Sequence, residues 1–224
     1  RNEVVRSSFH SFLRQESIVT IRWKILGAAT ASILLLIAMV IAFTANRLIR
    51  IGDDEIERYR GDAMSRQITA LREQVDAALS LLKPYADSGN SPQALERAKE
   101  VIGRIRYGNA GYIFAYDFDG NCQVLTVKPA WMGTNRIGEV DKSGRLYVKA
   151  LVEAGKRGGD TTRYTFDKPG SKILADKIGY TKDFAPFHWI VGAGVYIDDI
   201  DSVVAVRQAE VRTRTRSVIL SVLA

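Results

Sequence analysis

The chain has 224 residues, 46% of them hydrophobic and 25% charged, which excludes a disordered or collagen-like chain and suits one medium domain with attachments. The net charge of +7 raises the question of nucleic acid, but 32 basic residues are interleaved with 25 acids and no nucleic-acid motif is present. Cys122 is the single cysteine, so an intramolecular disulfide is excluded.

The first segment, residues 1–24, is basic. Residues 25–46 then contain no charge over 22 positions. As a helix that run spans roughly 33 Å, enough to cross a hydrocarbon core of about 30 Å. A buried core helix and a cleaved signal peptide are the rivals. The run is apolar on all sides (Ile33, Leu34, Leu35, Leu36 and Ile37 are consecutive), and its leader is long for a signal peptide, so a retained transmembrane helix is expected. Arg1, Arg6, Arg14, Arg22 and Lys24 precede it, and Arg47, Arg50, Arg58, Arg60 and Arg66 follow. Equal counts leave the positive-inside rule silent, while long segments translocate largely regardless of charge. The expected layout is a cytoplasmic segment 1–24, a transmembrane helix 25–46 and an extracytoplasmic domain 47–216 in the periplasm. A truncated second membrane helix is expected to start at 217–224, behind Arg212, Arg214 and Arg216.

A long helix is predicted over residues 47–82, with Ile68, Leu71, Val75, Ala78 and Leu82 at spacings of three and four. Lys83-Pro84 is expected to end it. Such a stripe must pack across a sheet or against a twin helix, and a parallel homodimer is expected from it. Residues 87–90 read as a loop, and Ser91-Pro92 as the start of a second helix faced by Leu95, Ala98, Ile102 and Ile105. Five strands are predicted at 111–117, 121–127, 160–167, 176–182 and 188–196, with a short helix at 144–156 and a final helix from Ile197. The fold class is α+β, an antiparallel five-stranded sheet with a long N-terminal helix.

No catalytic constellation is evident, and neither an enzyme activity nor a cofactor is expected. His10 and His188 are too few for a histidine-based metal site, and Cys122 lacks an evident base. Asp198, Asp199 and Asp201 suit a helix N-terminus better than a metal. Gly192 and Gly194 suit close approach of backbone or ligand. The chemistry lies in aromatics with cations among them: Tyr112, Phe114 and Tyr116 alternate on one face, Trp131 follows Lys128-Pro129, Tyr164 and Phe166 share a later face, and Lys177 and Tyr180 sit on the next strand. Each aromatic taken alone reads first as core. A lysine entering such a region needs a partner, and Asp176 is the one adjacent acid. A small organic anion would satisfy it, with tyrosine hydroxyls adding hydrogen bonds. The competing reading puts Lys177 at the surface and leaves the rings as plain core.

Five ordered segments carry a resemblance: YGNAGYIFAYDFDG (107–120), KPAWMGTN (128–135), DKSG (141–144), DKIGYTKDFAPFHW (176–189) and GAGVYIDDID (192–201). Together they resemble the single Cache domain of bacterial chemoreceptors and related transmembrane sensors. The resemblance implies a PAS-like fold, periplasmic location, binding of short carboxylates, and a dimer that signals through its membrane helices. It places Tyr112, Trp131, Lys177 and Tyr180 at family positions near the pocket; Phe114 and Tyr164 join them as candidate ligand contacts. Two departures stand out. Many relatives carry His-Pro where this chain has Thr126-Val127-Lys128-Pro129, and many carry glycine where His188 stands. An output module that is a diguanylate cyclase or a histidine kinase is the alternative to a chemoreceptor.

Overall fold

The structure, a computed structural model, describes residues 2–89, 91–171 and 173–223. Arg1 and Ala224, at the far ends of the two expected terminal segments, lie outside the described residues. By its contacts the chain divides into two compact units, residues 1–55 with 210–224, and residues 56–209.

In the first unit the apolar run lies within α1 (Asn2–Asp87), and α1 holds the one described helix long and apolar enough to cross a membrane. Ile33, Leu34, Leu35 and Phe43 are each more than half exposed, so the run does not serve as a core helix of this chain. Gly52 lets the α4 helix (Ile197–Leu223) approach closely: a Cβ there would meet Val211 at 3.2 Å.

The second unit is a sheet between two helical layers. Its elements are the last part of α1, α2 (Pro92–Gly103), β1 (Arg106–Tyr107), β2 (Gly111–Asp117), β3 (Cys122–Val124), α3 (Tyr147–Lys156), β4 (Asp160–Asp167), β5 (Leu174–Phe184), β6 (Trp189–Tyr196) and the start of α4. Strand order is β1-β2-β6-β5-β4, with β3 on β2 and every pairing antiparallel. All five predicted strands form. The two-residue β1 is an addition, too short to leave a period in the sequence.

Strand alternation splits the core in two. Ile113, Ala115, Val191, Ala193 and Tyr180 face α1 and α2, where they meet Leu71, Val75, Ala78, Leu82, Ala98 and Ile102. Tyr112, Phe114, Tyr116, Tyr164, Phe166 and Ile190 face the other way, onto Tyr147, Val148, Leu151 and Val152 of α3. The helical stripe is therefore covered inside the protomer, with Leu71 2% exposed and Val75 fully buried. A homodimer would have to use another surface, because this stripe is already satisfied by the sheet.

Several boundaries differ from expectation, among them the strand predicted at 176–182, which runs from Leu174 to Phe184, and three have a local physical reason. Pro84 does not end α1, which runs on to Asp87. A proline here forfeits one hydrogen bond to the preceding turn, and packing of the half-buried Tyr85 and Ala86 against the core holds the extra turn in place. The strand expected to reach Val127 stops at Val124, because the chain turns with Lys128 N–H donating to the Leu125 carbonyl at 2.9 Å. Helix α3 starts at Tyr147 rather than Gly144. Residues 141–144 form a turn instead, with the Asp141 carboxylate accepting from the N–H groups of Ser143 and Arg145. The predicted cap of α2 forms, Ala94 N–H donating to Ser91 Oγ at 3.2 Å.

Candidate functional site

Lys177 lies mid-strand in β5, directly opposite Tyr196 of β6 and Tyr164 of β4. Odd-numbered positions of β5 face α3: Thr181 donates its hydroxyl to the Leu151 carbonyl at 2.8 Å. Lys177 thus points into the aromatic layer, and only 1% of it is exposed. Its ammonium donates to Tyr112 Oη at 2.8 Å. Ring centroids surround it, Tyr112 at 4.0 Å, Tyr196 at 4.9 Å, Phe166 at 5.4 Å and Phe114 at 5.9 Å.

No carboxylate among the described residues forms an ion pair with Lys177. The adjacent Asp176 points to the other side and pairs with Arg163 at 3.1 Å. Burial without a counter-ion pushes the Lys177 pKa down to about 7. The surrounding hydroxyls cannot supply a negative charge. Burial raises Tyr112 and Tyr164 well above the usual phenol range and Tyr196 to about 12. The rings offer a cation–π face and neutral hydroxyls, and nothing that neutralises the ammonium.

Of the sequence-predicted residues, Lys177, Tyr112 and Phe114 meet around one ammonium. Tyr164 and Trp131 stand one ring further out. Tyr164 stacks on Tyr147 at 4.9 Å, and Trp131 meets Phe166 edge to face at 6.1 Å. Tyr180 does not belong to this group. It lies three residues from Lys177, an odd separation that turns it to the α1 face, where Arg72 sits 5.5 Å over its ring. Tyr196 and Tyr147 were not among the candidates. The alternation Gly192, Gly194, Tyr196 on one strand face was the signal for Tyr196, since two glycines leave room beside an aromatic. A Cβ at Gly192 would collide with the Phe114 ring, and one at Gly194 with the Lys177 side chain.

Tyr196 also joins this layer to α4. Its hydroxyl donates to the Asp167 carbonyl at 2.7 Å, and the next residue, Ile197, begins the helix. Lys168 lies 5.6 Å over the Tyr196 ring and binds Asp198 and Asp199 at 2.8 Å each. The acidic cluster is thus divided among cations, since Asp201 pairs with Arg60 of α1. Tyr196 also lines a cavity of about 220 Å³, together with Tyr107, Asn109, Gly194, Asp199 and Val203. It adjoins the Lys177 shell without reaching the ammonium. Cys122 is buried, its thiol pushed up to about 12 by burial, which leaves it no thiolate character at neutral pH.

A curated relative, the sensor histidine kinase MctS of Rhizobium johnstonii, is 25% identical over 200 residues, covering 88% of this chain and 43% of its own length. The chain spans less than half the length of the curated relatives it matches. Among solved structures, a methyl-accepting chemotaxis protein of Vibrio parahaemolyticus is 28% identical with a TM-score of 0.61, covering 65% of this chain and 99% of that one. A Cache chemosensory domain solved for its carboxylic acid recognition shares the fold, with 24% identity, a TM-score of 0.57 and coverage of 61% and 97%. The profile of the family described as single Cache domain 2 matches residues 63–209, more than half of the chain and the whole sheet with both its layers, and this chain therefore belongs to the single Cache domain family.

Proposed function

We propose that this chain is the extracytoplasmic sensor portion of a bacterial transmembrane chemoreceptor and that it binds a short carboxylate at Lys177. The observation that carries the reading is an ammonium buried among rings with a hydroxyl as its one hydrogen-bond partner among the described residues. An unneutralised buried charge is costly, and a carboxylate removes the cost with a charge-assisted hydrogen bond worth about 1.5–3 kcal/mol. The Tyr112 hydroxyl, already at the ammonium and hydrogen-bonded to Tyr196, turns to the acid as a second donor. Phe114, Phe166 and Tyr196 enclose the apolar end of a small acid, with Trp131 and Tyr164 as the outer wall.

Residues 25–46 serve as the membrane anchor in this reading, with 1–24 cytoplasmic and the sheet domain periplasmic. The signal leaves through α4: Lys177 is paired with Tyr196, and Tyr196 immediately precedes that helix. A ligand that repositions the ammonium therefore acts on the root of α4, and displacement of α4 against α1 is the output. The kinase relative favours a second reading, in which the same sensor governs a histidine kinase; autophosphorylation of the complete protein on ligand addition would separate the two.

The test uses the full chain in detergent and a thermal-shift series of acetate, propionate, pyruvate and lactate beside their amides. Acids stabilise the wild type, and Lys177→Met weakens binding roughly 10- to 150-fold. An acid that stabilises both proteins equally removes Lys177 from the site, and stabilisation by amides alone overturns an anionic ligand.

A further inference from the structure

Besides Lys177, three cations paired with carboxylates lie over rings of the same layer. Lys128 is 4.5 Å from the Trp131 centroid and 4.7 Å from that of Phe166, and binds Asp167 at 2.6 Å. Arg136 is 4.6 Å from Trp131 and binds Glu139 at 2.8 Å. Lys168, over Tyr196, binds Asp198 and Asp199. Lys177 differs from these three in having no carboxylate partner among the described residues.

From this pattern we infer that the site selects acids carrying a single negative charge, and that Asp167 is the selectivity residue, because it occupies the second ammonium that a dicarboxylate would need. The inference rests on Lys177 as the holder of the first carboxylate. Lys128 and Lys177 border the same Phe166 ring, at 4.7 and 5.4 Å from its centroid, so Lys128 is the cation placed for a second carboxylate. Asp167 holds it instead. Its own position is fixed from the other side, since its backbone carbonyl accepts the Tyr196 hydroxyl and Tyr196 packs on Lys177. A second anionic group arriving at Lys128 meets the Asp167 carboxylate and is repelled, a discrimination made by an unfavourable contact rather than by lack of room.

The experiment compares propionate, malonate and malonamate on the full chain by calorimetry at neutral pH. Malonamate has the size of malonate and one charge. The wild type is expected to bind propionate and malonamate and to reject malonate. In Asp167→Asn the malonate-to-propionate ratio of dissociation constants falls at least tenfold, and adding Lys128→Met to that variant restores it. Malonate binding to the wild type as tightly as malonamate overturns the inference, as does rejection of both three-carbon acids with second polar groups, which would make size or polarity the filter. A ratio unchanged in Asp167→Asn also overturns it. The comparison in the wild type decides the charge rule even if a variant fails to fold. If propionate binding is insensitive to Lys177→Met, the failure lies in the underlying carboxylate site rather than in the selectivity.

Discussion

Gly194 of β6 lies diagonally across from Lys177 of β5, and a methyl group at position 194 would occupy the space now filled by Cε of the lysine. The ammonium reaches Tyr112 because its stem passes over a residue without a side chain. Gly194→Ala is predicted to displace Lys177, lower stability by about 1–3 kcal/mol and weaken propionate binding. Gly61→Ala is the control. Gly61 is helical with open space at its Cβ, so alanine there raises stability by up to about 1 kcal/mol. Thermal unfolding and propionate titration of both variants check this; equal behaviour of the two would refute the packing role of Gly194.

The division of β2 into an aromatic and an aliphatic face was legible in the sequence, because a strand has a side-chain period of two and Tyr112, Phe114 and Tyr116 alternate with Ile113 and Ala115. The same period turns Tyr180 to the sheet face away from Lys177, so only the resemblance links it to the pocket. Burial of Lys177 was not legible from its own strand. It depends on Gly194 and Tyr196, contributed by β6 through a pairing register that no local pattern specifies. Pro84 failed as a stop signal for a related reason, since a local conformational preference gave way to packing of the half-buried Tyr85 and Ala86 against the core.

Leu71 is 2% exposed and sits among Val75, Ala98 and the α1 face of the sheet. Leu71→Glu is therefore predicted to destabilise the fold itself, by about 3 kcal/mol or more, through a buried carboxylate without a partner. Circular dichroism melts give the measurement. A variant that keeps the wild-type melting temperature but loses self-association would instead place Leu71 at a subunit seam.

His188 holds a left-handed backbone, φ 53° and ψ 36°, between the Ala185–Phe187 turn and β6. A side chain costs about 1–2 kcal/mol there, and glycine avoids it. His188 recovers part of that through an edge-to-face contact with Phe118 at 5.7 Å. His188→Gly is predicted to be more stable than His188→Ala by about 1 kcal/mol, as alanine keeps the strain and loses the ring. The reverse order in denaturant melts would exclude a left-handed residue at this position.

Lys177 also makes binding and stability depend on pH, in opposite directions. Its pKa falls from 10.5 to about 7 on burial. Between those values the unfolded chain holds a proton that the ligand-free fold lacks, so this group makes the fold more stable as pH rises through the window. Below about 7 the amine is charged in both states and the whole cost of burying it is present. A bound carboxylate reverses the preference by holding the ammonium charged. Binding above about pH 7 then takes up a proton, and affinity falls by about tenfold per pH unit. The neighbouring tyrosines do not titrate in this range, burial having raised Tyr112 and Tyr164 far above it and Tyr196 to about 12. Calorimetry of propionate at about pH 8 in two buffers of different ionisation enthalpy should report uptake approaching one proton. In Lys177→Met that uptake disappears, and the rise of ligand-free stability from about pH 7 to 10 flattens. Propionate affinity that stays constant between about pH 7 and 9 would mean that the bound anion does not meet this ammonium.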